Sequence, residues 1–241
     1  FADASDFTFV FVGNLVPDQF RPLVEQYLAT LPAAGRVEQA REVGIERPEA
    51  IVVDSVSSGI DPVSQVAVFL HDSYDFSQSN NLDIRTVERA LNIRMQEVIR
   101  EEESGAYGVG VQAQFTRVPR ERYSIVITFR TDPNRVDELT GRLFDVVEEL
   151  QSSPLEEAYA DRIRDTLRSG FEEGLTSNQF WLGQIEYALE HEREMSDIRR
   201  YLELVDGVTA RSVLEAANRY LNTERYVQVT LYPQDFDREE Q

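Results

Sequence analysis

Apolar residues along the chain fall into two rhythms, alternation over short runs and a three-to-four-residue step over longer ones. Residues 7–14, FTFVFVGN, are aromatic and β-branched, end at Gly13-Asn14, and predict a strand buried on both faces. Phe20, Val24, Tyr27, Leu28 and Leu31 then share one side of a helix, which Pro22 places from about that residue onward and Leu31-Pro32 ends. Two strand-like runs, 50–57 and 63–73, flank a Gly59-Ile60-Asp61-Pro62 turn. Over 80–103, Ile84, Val87, Leu91, Met95 and Val98 mark one face of a long helix. Alternating runs at 106–118 and 122–130 predict a hairpin across Pro119-Arg120-Glu121.

Asp132-Pro133 has the chemistry of a helix cap and first turn, and Val136, Leu139, Leu143, Val147 and Leu150 form the face that follows. Ser153-Pro154-Leu155-Glu156 has capping-box spacing, and Thr176-Ser177-Asn178-Gln179 repeats it. Helices continue to about Leu221, and 225–232 reads as a closing strand. The order βα-ββα-ββα-ααα-β predicts an α+β fold: a largely antiparallel sheet packed against helices on one face. The expected organisation is a leading strand and helix at 1–31, a connector of weak periodicity at 32–49, and a main body at 50–241. No internal repeat is visible.

With 41 % hydrophobic and 28 % charged residues, 241 residues are enough for a folded protein with a sizeable core. No run approaches the roughly 18 apolar residues of a membrane-crossing helix. The chain begins at Phe1 without a basic-then-apolar leader, so no signal peptide is expected within it. The absence of Cys excludes disulfides, thiol catalysis and Cys-ligated metal. Charge sharpens the picture: 44 acidic residues face 24 basic ones, giving a net charge of −20, and every basic residue is Arg. Such a surface repels phosphate backbones, so nucleic acid is not an expected partner. A Lys-free acidic surface suits a salt-adapted, halophilic protein; a GC-rich genome that encodes Arg in place of Lys gives the same composition.

Candidate chemistry is sparse. The two histidines, His71 and His191, are too far apart in sequence to form a His-rich zinc motif, and each reads as a surface or partly packed residue. No Gly-x-Ser-x-Gly elbow is present, so a serine triad has no local support. Gly108-Val109-Gly110 lies inside an alternating run and reads as small residues for close packing rather than a phosphate loop. The long helix closes on Glu101, Glu102 and Glu103, which oppose its dipole, before Gly105, a plausible left-handed cap. Arg100 and Tyr107 flank this turn. Two readings stand there: a solvated acidic helix end, or a cationic and a phenolic donor converging where a helix meets a strand.

The segments FTFVFVGNLVPDQFRPLVEQYLATLP and IREEESGAYGV, the second with six residues between Arg100 and Tyr107, resemble the insulinase/pitrilysin family of zinc peptidases. TSNQFWLGQIEYALEHE and YLELVDGVTARSVLEAANRYLNTERYVQVTLYP are similar to the closing helices and strand of its long bacterial members. The resemblance implies the last α/β domain of a four-domain peptidase that closes around its substrate. The inverted His-x-x-Glu-His zinc motif of the family is missing here, so the chain alone is expected to hold no zinc and to be inactive. Zinc is expected in the full-length enzyme, in an N-terminal catalytic half of the same protein or a partner subunit. The resemblance further implies a peptide substrate and gives Arg100 and Tyr107 the role of donors to the bound peptide near its scissile carbonyl. A periplasmic or extracellular location is favoured over a cytoplasmic one. The alternative within the same fold is a non-enzymatic core or scaffold subunit.

If the acidic surface is a salt adaptation, stability should fall as salt is removed, because the screening length grows from roughly 3 Å at 1 M to about 10 Å at 0.1 M. Melting temperatures measured from low to molar potassium chloride should rise with salt; a flat profile assigns the composition to codon usage.

Overall fold

A computed structural model of the chain describes residues 2–101 and 106–236, and at 99–101, 106 and 107 the backbone alone. In chain order the helices are α1 (Pro17–Tyr27), α2 (Gln78–Glu101), α3 (Val136–Ser152), α4 (Glu157–Gly174), α5 (Asn178–Glu190), α6 (Asp197–Asp206) and α7 (Ala210–Tyr220). The strands are β1 (Val52–Gly59), β2 (Ser64–Ser73), β3 (Ala106–Thr116), β4 (Arg122–Thr131) and β5 (Tyr226–Pro233). They pack as two compact units, residues 44–166 with 204–241, and residues 1–43 with 167–203.

The larger unit holds a five-stranded sheet in the order β1-β5-β2-β4-β3. Only β1–β5 is parallel; the other three pairings are antiparallel. The α+β fold expected from the sequence is therefore the fold observed, with one change in connectivity. The turn at 59–62 does not close a hairpin, because β5 lies between β1 and β2 and pairs with both. Gly59 belongs where β1 ends against β5: a Cβ there would lie 2.9 Å from the Tyr232 carbonyl oxygen. By contrast β3 and β4 do form the expected hairpin.

Register sorts the side chains of the sheet. Val66, Val68 and Leu70 of β2 stand opposite Phe129, Ile127 and Ile125 of β4, and all six are buried. Buried residues of α2 (Ile84, Val87, Leu91), α3 (Leu139, Leu143, Val147) and α7 (Val213, Ala217) complete the core. The Tyr123 hydroxyl donates to the Tyr220 carbonyl at 3.0 Å, tying β4 to the end of α7. β1 is exposed on both faces, whereas β5 alternates buried and exposed residues; Val56 and Leu231, paired in register, are both exposed.

Helix ends depart from expectation where one residue has two possible duties. Ser153 is the extended C-cap of α3, its amide bonded to the Glu149 carbonyl, so α4 starts at Glu157 rather than at the Ser153 box. At the second box Ser177, not Thr176, is the N-cap, and its side chain makes no capping bond. Asp132 accepts from the Asn134 amide at 2.8 Å and opens a 3-10 turn, Pro133–Arg135, that leads into α3. The helix expected from Pro22 begins earlier, with Pro17 at its first position and Pro22 inside it.

In the smaller unit the expected strand at 7–14 is not formed: these residues belong to no strand, and Phe7, Phe9 and Phe11 are exposed. Its β-like pattern finds no sheet partner among the described residues. Asp3 organises the region instead, accepting amide bonds from Ala34 and Arg36 and a hydroxyl bond from Ser5. Those bonds, led by the Ser5 hydroxyl, hold its carboxyl down at about 2. Phe171 packs between Phe180 (5.3 Å between ring centres) and Tyr201 (5.1 Å).

Burial makes the energetic contrast testable. Leu143→Ala, at a fully buried site, should cost about 2–5 kcal/mol of unfolding free energy. Val56→Ala, on the exposed face of the edge strand, should cost under about 0.5 kcal/mol. Denaturant melts of both variants check the assignment of the core.

Candidate functional site

Arg100 lies in the last turn of α2, and Tyr107 is the second residue of β3. Their side chains, and residues 102–105 with the expected Gly105 cap, lie outside the described residues. The backbone nevertheless gives Tyr107 a distinct setting. Ala106 pairs with Thr131 and Val109 with Phe129, so Tyr107 and Gly108 together stand opposite Arg130 alone. This is a β-bulge, and Gly108 carries the positive φ of +132° that it needs. Among the described residues, its chain neighbours aside, nothing lies within 4 Å of where a Gly108 Cβ would be, so there Gly108 serves the bulge rather than close packing. At Gly110 the packing reading holds, with the Thr128 hydroxyl 3.4 Å from a built Cβ.

Two interactions place α2 against its neighbours. Glu88 is buried, and its carboxylate accepts a hydrogen bond from the Ala113 amide of β3. Burial pushes its pKa above the ordinary carboxylate value, opposed in part by Arg89, Arg85 and that amide. Farther along α2, Arg94 grips both oxygens of Glu149 on α3 at 3.0 and 2.9 Å and pairs with Glu97. The Tyr159 hydroxyl of α4 donates to Glu97 at 3.1 Å, and the Arg94 guanidinium lies 5.8 Å from the Tyr159 ring centre. Arg94 is six residues, about 9 Å of helix rise, before Arg100. The C-terminal half of α2 is thereby fixed to two other helices, and its first half to β3. The sequence signal for Glu88 was its place four residues after Ile84, within the apolar face; amid 44 acids it did not stand out.

No group of three or more His, Asp or Glu able to hold a metal occurs among the described residues. His71 is buried on β2. Burial lowers its pKa, and Arg47, Arg225 and Arg122 lower it further against the opposing pull of Asp72. A site that disfavours an imidazolium for want of solvent and for excess of guanidinium also disfavours a metal cation. His191 caps the C-terminus of α5 with its ring 4.4 Å from that of Tyr187. The two histidines are in different units.

Comparison with known proteins gives this geometry a context. Residues 1–167 match the family described as "Peptidase M16 inactive domain". Over 147 residues the chain is 28 % identical to "Probable zinc protease PqqL" of Escherichia coli, an alignment that covers 58 % of this chain and 15 % of that protein. The crystal structure of the periplasmic protease PqqL from E. coli superposes with a TM-score of 0.73 at 21 % identity, covering 92 % of this chain and 24 % of that one. The first half of PqqL also superposes, with a TM-score of 0.71 at 10 % identity, covering 91 % of this chain and 50 % of that half. The chain thus spans about a quarter of the solved protease, and the fold occurs in that protease's first half as well.

The buried carboxylate between α2 and β3 has a titration signature. A folded pKa above the unfolded one means the native state keeps the proton longer, so Glu88 subtracts stability as pH rises through its folded value. Glu88→Gln removes that term and keeps an acceptor for the Ala113 amide. Measured at each pH, the melting temperature of the variant minus that of wild type should increase from pH 4 to pH 7. The difference cancels the opposite contribution of His71, whose lowered pKa makes wild type gain stability with rising pH below about 6.5. A pH-independent difference would place Glu88 in solvent.

Proposed function

Because the chain belongs to the peptidase M16 inactive-domain family, we propose that it is the substrate-binding, non-catalytic module of a zinc-dependent endopeptidase whose zinc site is carried by a half outside this chain. One observation carries the reading: an Arg–Tyr pair at the spacing of the resemblance, with Arg100 in the last turn of α2 and Tyr107 in a bulge at the start of β3. Bulges re-aim a strand locally and recur beside active sites. A guanidinium and a phenol so placed donate hydrogen bonds to a peptide carbonyl held in the closed chamber. Donors fixed in advance stabilise negative charge as it develops on that oxygen, with little reorganisation. Rigid placement of α2 by Glu88 and by the Arg94 cluster serves that pre-organisation.

The two-half arrangement rests on the length of the relative, of which this chain matches about a quarter, and on the presence of the same fold in its first half. The zinc half belongs to the same polypeptide or to a partner subunit. The description of the E. coli relative as a periplasmic protease favours the periplasm for this protein too. Among the described residues no helix is long and apolar enough to cross a membrane.

In the complete enzyme, Tyr107→Phe should lower peptide turnover by as much as roughly 10²-fold, the scale of losing one oxyanion donor. Arg100→Lys should also be impaired, since it keeps charge but loses the planar fork. If both donors serve one bound peptide group, the double variant should lose less than the product of the single losses. Each should shift stability by under about 1 kcal/mol. Normal turnover in both single variants contradicts the reading, and a large loss of melting temperature with normal turnover per folded molecule makes the pair structural.

A further inference from the structure

Arg130 stands where β4 meets the bulge of β3. Its register partner on one side is Gln65 of β2, and on the other the Tyr107-Gly108 pair. Phe129 and Thr131, its neighbours along β4, are buried in the core, so Arg130 lies on the opposite face of the sheet. Across the strands that row runs Val56, Leu231, Gln65, Arg130 and Gly108, and all five are exposed. A ligand held at position 107 therefore meets a guanidinium on the next strand, about 5 Å away.

One carboxylate of the chain already shows what this guanidinium accepts. Nη2 of Arg130 donates to Oδ2 of Asp61 at 2.5 Å, with the two side chains 47 % and 69 % exposed. Asp61 comes from the turn after β1, whose base is fixed by the Gln234 amide on the Gly59 carbonyl at 2.9 Å. The other N–H groups of the Arg130 guanidinium make no hydrogen bond among the described residues. An ion pair this exposed adds little stability, so a second carboxylate can share or replace Asp61 at small cost. A planar fork of donors is suited to that partner. The chain's net charge of −20 otherwise repels acidic ligands, so a preference for a carboxylate at one position is the mark of a local cation, not of the surface at large.

We propose that Arg130 is a peptide-binding residue that takes an acidic side chain, Asp or Glu, of the bound peptide within about three residues of the carbonyl held at position 107. The inference rests on the reading above for placing the peptide there. An extended peptide advances about 3.3 Å per residue, which keeps that side chain within reach of the guanidinium. Closure of the chamber over the peptide removes water from the pair and strengthens it.

The complete protein and a set of labelled peptides test it. Each position of one short peptide that the protein binds is made Gln or Glu in turn. The pairs are compared by fluorescence anisotropy with zinc chelated by 1,10-phenanthroline, and by kcat/KM without the chelator. At one position Glu should be preferred over Gln by about tenfold, the scale of a hydrogen bond to a charged group. Arg130→Gln should bring that ratio to about one, and Arg130→Lys, which keeps charge but loses the fork, should keep part of it. Should Arg130→Gln not fold, Asp61→Asn decides: freed of its internal carboxylate, Arg130 should prefer Glu more strongly, and an unchanged ratio overturns the proposal. Turnover without a preference for Glu, or a preference that survives Arg130→Gln, overturns this proposal alone. Arg130-dependent binding without any turnover supports it and counts against the zinc-peptidase reading alone.

Discussion

The larger unit depends on one late strand. β5 is the last element of the described chain, yet it sits second in the sheet, parallel to β1 on one side and antiparallel to β2 on the other. Until it arrives, β1 has no partner and β2 has one open side. Loop closure over more than 150 residues of chain separates β2 from β5, a non-local pairing whose entropy is repaid only when the sheet and its helices condense together. With β5 on the β1 side of the sheet, β3 stands at the opposite rim among the described strands, and the backbone of Tyr107 stands with it.

Position at a rim demands rigidity from elsewhere, and α2 obtains it from both its halves. Its apolar face is buried along Ile84, Val87, Leu91 and Met95. Into that face the fold admits one carboxylate, Glu88, bonded to the amide of Ala113. Burying it opposes its ionisation, a cost accepted where it ties helix to strand. Arg94 works differently. Its Nη2 donates to both oxygens of Glu149 and its Nη1 pairs with Glu97, while Nε stays buried without a partner among the described residues; in this partly exposed setting charge pairs fix geometry more than they add stability. In a chain with a net charge of −20, each Arg that neutralises two carboxylates also relieves local repulsion.

Local features were legible in the sequence. The faces of α2 and α3 and the β3–β4 hairpin follow from periodicity over a few turns or a few strand residues. What was not legible was partnership. Alternation in FTFVFV predicts a strand but cannot supply the sheet partner it lacks among the described residues, and Gly59-Ile60-Asp61-Pro62 predicts a turn but not that β5 separates the strands it connects. Ser153 shows a third limit: its box is well formed, yet the same residue ends α3, and the two duties exclude each other. The proposed pair, Arg100 and Tyr107, rests on resemblance. By residue chemistry alone Arg100 and Tyr107 also fit an acidic helix end with a half-buried phenol; the bulge at Tyr107-Gly108, which distinguishes that position, depends on register with Arg130.

The proposed function puts position 107 against the substrate of a larger peptidase. The most direct measurement replaces Tyr107 with a photoreactive phenylalanine analogue in the complete protein and irradiates it with a labelled substrate peptide. A cross-link from position 107 to the peptide, competed away by unlabelled peptide, is the expected outcome. A peptide that is cleaved by the same protein, yet labels other positions and never 107, would contradict it.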